Sequence, residues 1–327
     1  MEYLFLGSIG GNAGPSNVNK GIVPNLSEHF RICAADNKNK VVKYLLAFWQ
    51  VICCKAVVVS GVSKLGVYTV KFAKLLHKKT IYIMHGCYDI ETILNEDVRD
   101  PVELKKEQTI LHTADLILPV SKRYAEFIQE KYPFCKGRTS YLHNGVEKIA
   151  PGLEPVERVK GSILTVGGDR KLKNNILVAN AVAKLYPGKK LPVYGQIFHP
   201  ERLPENGNIE LKGLISQAEL YTELRKTELY VLNSIYEPFA LSVFDALVCG
   251  CSVLVTQVAG ALELLDATEH DIIYDPMNEE EIAEKIEYLL QHPNNERLMK
   301  GLNFEEVSFQ AEAKKLEKIC EEIMAER

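Results

Sequence analysis

The chain has 327 residues, 46% of them hydrophobic and 25% charged, with a formal net charge of −4. That apolar content excludes a disordered chain, and at roughly 100–200 residues per domain the length predicts two domains. Eight cysteines in so long a chain do not make a disulfide scaffold, and Cys53–Cys54 and Cys249–Cys251 lack metal-ligand spacing, so reduced thiols and a cytoplasmic setting are expected.

Short apolar runs alternate with helical patterns from the start. Glu2–Leu6 reads as a strand, too short for the apolar region of a secretory leader. A glycine-rich loop, Gly7–Pro15, follows, and a helix is expected from about Ser16 towards Phe30. Lys43–Cys54 reads as a helix covering a sheet. Its apolar run is the longest in the chain, yet at eleven residues it is far short of a membrane span. Ala56–Ser60 is a β-branched strand, Val67–His77 a helix and Thr80–Met84 a strand. Glu103–His112 is helical, Leu116–Val120 a strand, Lys122–Lys131 helical with Ser121 as its cap, and Tyr141–Leu142 a short strand before an Asn144–Gly145 turn.

The loop Ile149–Glu157, with Pro151, Gly152 and Pro155, marks a domain boundary. Beyond it come strand Ser162–Val166, a Gly167–Gly168 turn and helix Asn175–Leu185. Leu191–Tyr194, Ile209–Leu211, Leu229–Leu232 and Ser252–Val255 read as strands with helices between them, and Glu305–Arg327 as a charged amphipathic helix. The alternation predicts two doubly wound parallel sheets, residues 1–152 and 153–305, with the last helix (306–327) free to return to the first. Such sheets bind ligands beyond the carboxyl ends of their strands, here expected to face a common cleft.

The most informative stretch is Ser234–Glu263. Glu237 precedes Pro238, and Phe239–Val248 reads as a helix that Pro238 opens, with its first amides available to an anion or a sugar hydroxyl. Asp245 follows Glu237 by eight residues, so two carboxylates address one ligand. Gly250 then leads to Val253–Val255 and to the small-residue loop Val258–Gly260 before Glu263. This pattern resembles the signature of family-4 retaining glycosyltransferases of GT-B fold. The resemblance extends over nearly the whole chain through Gly10–Gly11, His85–Gly86, Ala114–Ser121, Asn144–Val146, Val166–Gly167 with Lys173–Asn174, Tyr194–Gly195 and Gly213.

The resemblance implies that Glu237 lies near donor-sugar hydroxyls, and that the backbone of Pro238, Phe239, Ala240 and Leu241 approaches the sugar and diphosphate. It implies that Asp245 takes the ribose hydroxyls, that Lys173 pairs with the diphosphate, and that Gly11, Gly168 and Gly195 admit the donor closely. His85 would contact the donor sugar or acceptor. Two positions depart from the family: Gly168 stands where arginine is usual, with Arg170 the nearest replacement, and Asp245 stands where glutamate is commoner.

Cleaving a sugar–phosphate bond leaves a nucleoside diphosphate whose growing charge needs fixed cations or dipoles. The chain has no Asp-x-Asp pair, so metal-independent catalysis without a cofactor is expected, with Lys173, Arg170 and a helix N-terminus in place of an ion. A nucleophilic-serine hydrolase is excluded by the lack of Gly-x-Ser-x-Gly. Alternatives are a nucleotide-sugar epimerase of the same fold and a non-catalytic, glycan-binding GT-B partner.

The net charge hides a division. Residues 1–150 hold 20 Lys and Arg against 14 Asp and Glu, whereas residues 151–327 hold 19 against 29. Lys71, Lys74, Lys78 and Lys79 among Phe72, Leu75 and Leu76, with Lys38, Lys40 and Lys43 ahead of Leu45–Trp49, suit an anionic membrane surface rather than nucleic acid. The expectation is a peripheral enzyme at the inner face of the membrane, taking a nucleoside diphosphate sugar and a glycan or lipid-linked acceptor.

Overall fold

A computed structural model describes residues 2–10, 14–33, 39–148, 156–202, 207–325. Gly11, Lys38 and the boundary residues 149–155 lie outside these. The chain forms two compact units: Met1–Ile93 with Asp97–Glu147 and Phe304–Arg327, and Leu94–Glu96 with Lys148–Asn303.

The first unit runs β1 (Tyr3–Gly7), α1 (Gly14–Ile22), β2 (Phe30–Ile32), α2 (Lys40–Cys53), β3 (Ala56–Ser60), α3 (Lys64–Leu75), β4 (Lys79–Met84), α4 (Tyr88–Leu94), α5 (Pro101–Thr113), β5 (Leu116–Pro119) and α6 (Lys122–Lys131). Its five parallel strands lie in the order β2-β1-β3-β4-β5, so the sheet reverses direction between β1 and β3. Val57, Val58 and Val59 are all fully buried, as expected of a parallel strand covered on both faces.

The second unit runs β6 (Ile163–Val166), α7 (Asn175–Leu185), β7 (Leu191–Tyr194), β8 (Ile209–Gly213), α8 (Gln217–Lys226), β9 (Leu229–Leu232), α9 (Leu241–Val248), β10 (Ser252–Thr256), β11 (Ile272–Ile273), α10 (Glu279–Gln291) and α11 (Asn295–Gly301). Its six strands lie in the order β11-β10-β9-β6-β7-β8, all parallel. Here the reversal falls between β6 and β9. Both units are therefore the doubly wound α/β sheets that the alternation predicts.

The closing helices α12 (Phe304–Val307) and α13 (Phe309–Ala325) belong to the first unit. The Val146 amide donates to the Val307 carbonyl at 2.8 Å. A Cβ on Gly145 would sit 2.4 Å from the Phe309 backbone, and one on Gly21 would meet the Phe309 ring at the same distance. The Asn144–Val146 signature thus seats the last helix, and its glycine is required by close approach rather than by φ.

Several local expectations are corrected. The first helix ends at Ile22, because a separate 3₁₀ turn, Val23–Asn25 with Pro24 at its centre, follows, and Phe30 opens a strand instead. Tyr141–Leu142 is not a strand; Leu142 makes a single backbone bond to Pro119. Helix α2 begins at Lys40, where the Asn39 side chain accepts from the amides of Val41 and Val42, satisfying donors that would otherwise be orphaned. It does not simply cover the sheet. Ala47 and Val51 are buried, whereas Val41, Leu45, Trp49 and Ile52 are 51–68% exposed.

Candidate active site

The second unit gathers its chemistry where the sheet order reverses. The loop leaving β6 turns through Gly167 (φ +115°) and Gly168 (φ +61°), and the loop leaving β7 through Gly195 (φ +134°). The values at Gly167 and Gly195 suit glycine alone, and that at Gly168 favours it. A Cβ on Gly168 would lie 2.0 Å from the Gln196 carbonyl oxygen, and one on Gly195 would lie 2.6 Å from the Gly168 nitrogen. The two loops pack backbone to backbone. The amides of Gly167 and Gly168 both donate to the Tyr194 carbonyl (2.8 and 3.1 Å). Gly168 therefore contributes close approach, its N–H being committed. Asn175 anchors the turn from beneath, donating to the Gly168 carbonyl (3.0 Å) and accepting from Thr165 (3.1 Å).

Gly167 also makes room for a lysine. A Cβ there would meet Lys173 Cγ at 2.5 Å, so the Lys173 stem lies across the glycine. Lys173 closes the 3₁₀ turn Lys171–Lys173, its amide donating to the Arg170 carbonyl at 3.0 Å. The Ile235 amide donates to the Leu172 carbonyl at 2.9 Å, tying this turn to the loop after β9. The tie brings Lys173 Nζ to 2.5 Å from Glu237 Oε2, with both side chains about nine-tenths buried. Ser234 Oγ donates to the same oxygen at 3.2 Å. Sequence reading did not single out Ser234. Its signal is its place two residues after a buried strand and three before the carboxylate.

The helix after Glu237 differs from the expected one. It starts at Leu241, not at Pro238, and its N-cap is Ala240 in the left-handed region (φ +79°, ψ +69°) with no side-chain cap. Glu237 is consequently a loop residue, and only Asp245 is on the helix. The segment is held by backbone bonds to the small-residue loop: Ala261 N–H to the Phe239 carbonyl (2.7 Å) and Gly260 N–H to the Glu237 carbonyl (3.3 Å). The Phe239 ring is buried against Phe244. Asp245, one turn into α9, accepts from the Tyr221 hydroxyl at 2.8 Å, and Gln217 donates to that hydroxyl at 2.8 Å. Burial and the Asp245 carboxylate push the Tyr221 phenol up, keeping it protonated and a donor. Tyr221 and Gln217 have no motif of their own and were not legible in the sequence.

In the first unit His85 follows β4. Its Nε2 lies 2.8 Å from Ser60 Oγ at the end of β3. His85 as a residue keeps partial exposure, but its Nδ1 is shielded and unpaired. Burial lowers its pKa to about 4, so the ring is neutral near pH 7. Among the described residues no group of three or more His, Cys, Asp or Glu side chains is placed to hold a metal ion.

Comparison with known proteins gives a family match, a relative and several similar folds. Residues 160–301 match the family of glycosyl transferases group 1. The chain is 25% identical over 286 residues to N-acetylgalactosamine-N,N'-diacetylbacillosaminyl-diphospho-undecaprenol 4-alpha-N-acetylgalactosaminyltransferase of Campylobacter jejuni, covering 82% of this chain and 78% of that protein. The HepE structure from Anabaena with UDP-glucose superposes with a TM-score of 0.68 at 15% identity, all of both chains being covered. Sucrose-phosphate synthase from Thermosynechococcus elongatus gives 0.66 at 15% identity, again over all of both chains. These are GT-B likenesses.

Proposed function

We propose that this chain, a glycosyltransferase whose C-terminal unit belongs to the glycosyl transferases group 1 family, moves a sugar from a uridine diphosphate donor to a lipid-linked saccharide, retaining anomeric configuration without a metal. The carrying observation is the buried Lys173–Glu237 pair at the sheet reversal of the second unit. Lys173 stabilises the departing diphosphate, and Glu237 holds hydroxyls of the donor sugar. The uncapped start of α9 and Arg170 add positive potential for the phosphates. Asp245, oriented by Tyr221, takes the ribose hydroxyls. The front-face route, in which the leaving phosphate oxygen receives the acceptor proton, needs no second carboxylate opposite the sugar. The UDP and UDP-glucose held by HepE support the donor assignment, and the diphospho-undecaprenol in the Campylobacter enzyme's name supports the acceptor.

The same reading places the enzyme at an anionic inner-membrane surface through α2. That helix carries no acidic residue, and Val41, Leu45, Trp49 and Ile52 form one exposed apolar stripe. Residues 1–80 bring 11 Lys and Arg against 3 Asp and Glu. No helix among the described residues is long and apolar enough to cross a membrane. Apolar insertion and lipid attraction together produce surface binding.

The test is incubation of the protein with UDP-sugars, with and without a polyprenyl-diphosphate saccharide and a chelator. Acceptor-dependent UDP release that persists in chelator, with an α product from an α-linked donor, is expected. Release from no donor overturns the transferase reading, epimerised donor supports an isomerase, and complete loss in chelator overturns metal independence.

A further inference from the structure

The reversal point of the first sheet, between β1 and β3, holds a chain of hydrogen bonds in which every polarity is forced. It begins at the Ser8 carbonyl, which can only accept. Asn19, on α1 and 1% exposed, lies with Nδ2 2.9 Å from that oxygen, so this atom must be the amide nitrogen. Gly7 permits the placement, because a Cβ there would lie 2.6 Å from Asn19 Nδ2. The Asn19 carbonyl oxygen consequently faces Ser60, whose hydroxyl donates to it at 2.6 Å. A hydroxyl has one hydrogen. With that hydrogen committed, Ser60 Oγ meets His85 Nε2 at 2.8 Å as an acceptor, and Nε2 must carry the ring proton. Nδ1 is left with a bare lone pair, shielded from water and without a partner.

We infer that Asn19 and Ser60 are positioning residues that lock His85 in the Nε2–H tautomer, so that Nδ1 is offered as a neutral acceptor to a hydroxyl of the sugar substrate. The inference rests on the transferase reading for the identity of that hydroxyl, but not for the tautomer, and it requires the groups that close Nδ1 off from water to move aside as the sugar binds. A ring free to exchange tautomers would present N–H to the ligand part of the time, and a sugar hydroxyl would then have to turn its hydrogen away. A locked acceptor selects a donor group, and so a hydroxyl over an anionic oxygen. An unpaired buried acceptor costs free energy in the empty protein, which the arriving hydroxyl removes.

The experiment uses the full chain labelled with ¹⁵N-histidine, the His85 signals being assigned by their loss in His85→Asn. Long-range ¹H–¹⁵N correlation distinguishes the tautomers without turnover. The wild type is expected to show His85 as Nε2–H, neutral at pH 6–8. Asn19→Ala frees the Ser60 hydroxyl to donate to Nε2, so the pattern should move towards Nδ1–H. Ser60→Ala should give a mixture, with kcat lower by about tenfold, as for one lost hydrogen bond, and UDP affinity unchanged. A wild-type ring protonated on Nδ1, or Asn19→Ala and Ser60→Ala both keeping the wild-type pattern and kcat, would overturn the inference. A wild-type Nε2–H ring whose pattern moves in Asn19→Ala, in a protein that releases UDP from no donor, supports the lock and overturns the transferase reading.

Discussion

Lys173 Nζ and Glu237 Oε2 lie 2.5 Å apart, although 64 residues separate them in sequence and they follow different strands. The contact exists because β6 and β9 are neighbours at the reversal of the second sheet, where two loops leave in opposite directions and a ligand can enter between them. The carboxylate neutralises the lysine, and both charges can stay buried. On the proposed donor assignment, a diphosphate beside Lys173 would supply a second anion that shares the ammonium, and Glu237 would be released to accept from sugar hydroxyls.

Lys173→Ala should lower kcat by about 10²–10³-fold, the usual loss when one preorganised donor to a developing anion is removed. Glu237→Gln should also lower kcat, since the amide neither neutralises Lys173 nor accepts as strongly. Because the two side chains share one interaction, the double variant should lose less than the product of the single losses. Steady-state UDP release across the four proteins is the measurement, and multiplicative losses would show that the pair does not act as a unit.

Ala240 presents a different dependence. Its left-handed backbone costs about 1–2 kcal/mol in a residue bearing a Cβ. Ala240→Gly relieves that strain but adds roughly 0.4–1 kcal/mol of unfolded-state entropy. The melting temperature should therefore change little or rise slightly, while Ala240→Val, β-branched at positive φ, should lower it clearly. UDP affinity should fall in Ala240→Gly, because a loop now free to move must be frozen on binding. A large drop in melting temperature for the glycine variant would contradict the strain assignment.

Much of this is legible in the sequence. Runs such as Ala56–Ser60 and Leu229–Leu232 announce buried parallel strands, and Gly167–Gly168 announces a turn that only glycine can make. Spacing could not show where α9 begins. Pro238 is a good first helical residue, but the bonds from Gly260 and Ala261 hold the chain out of helical geometry until Leu241. Tyr221 and Ser234 escaped notice because their roles depend on which strands are neighbours, which no local pattern encodes. The exposed face of α2 is beyond local pattern for a related reason. A helix apolar on most sides reads as buried, and only the tertiary structure shows which side lacks a neighbour.

The depressed pKa of His85, about 4 through burial, fixes a sign for stability against pH. Between that value and the unfolded value near 6.5, the unfolded chain holds a proton that the folded chain does not. The contribution of His85 to stability is thus fully present above about pH 6.5 and is lost as pH falls towards 4. Burial raises Glu107 and Glu312, so their contributions to stability against pH have the opposite slope. The comparison must therefore be between wild type and His85→Asn. Denaturant unfolding from pH 4 to 7 should show the wild type losing more stability on acidification than the variant. Parallel curves would mean that the ring is not held neutral.

The stripe on α2 makes the membrane assignment separable from catalysis. Trp49 is 63% and Leu45 64% exposed, so exchanging them disturbs little packing, and substitution should leave the melting temperature nearly unchanged. Insertion removes these side chains from water at about 25 cal/mol per Å² of apolar surface. Leu45→Asp with Trp49→Asp forfeits that gain and adds two like charges facing anionic headgroups. Cosedimentation with vesicles containing phosphatidylglycerol should fall by at least about tenfold for the double variant. Raised salt should weaken wild-type binding only in part, since screening acts on the lysines and leaves the apolar contribution intact. Transfer to a water-soluble acceptor analogue should persist in the variant, while transfer to acceptor embedded in vesicles should decline with binding. Equal vesicle binding by the two proteins would remove α2 from the membrane contact and leave the donor site unaffected.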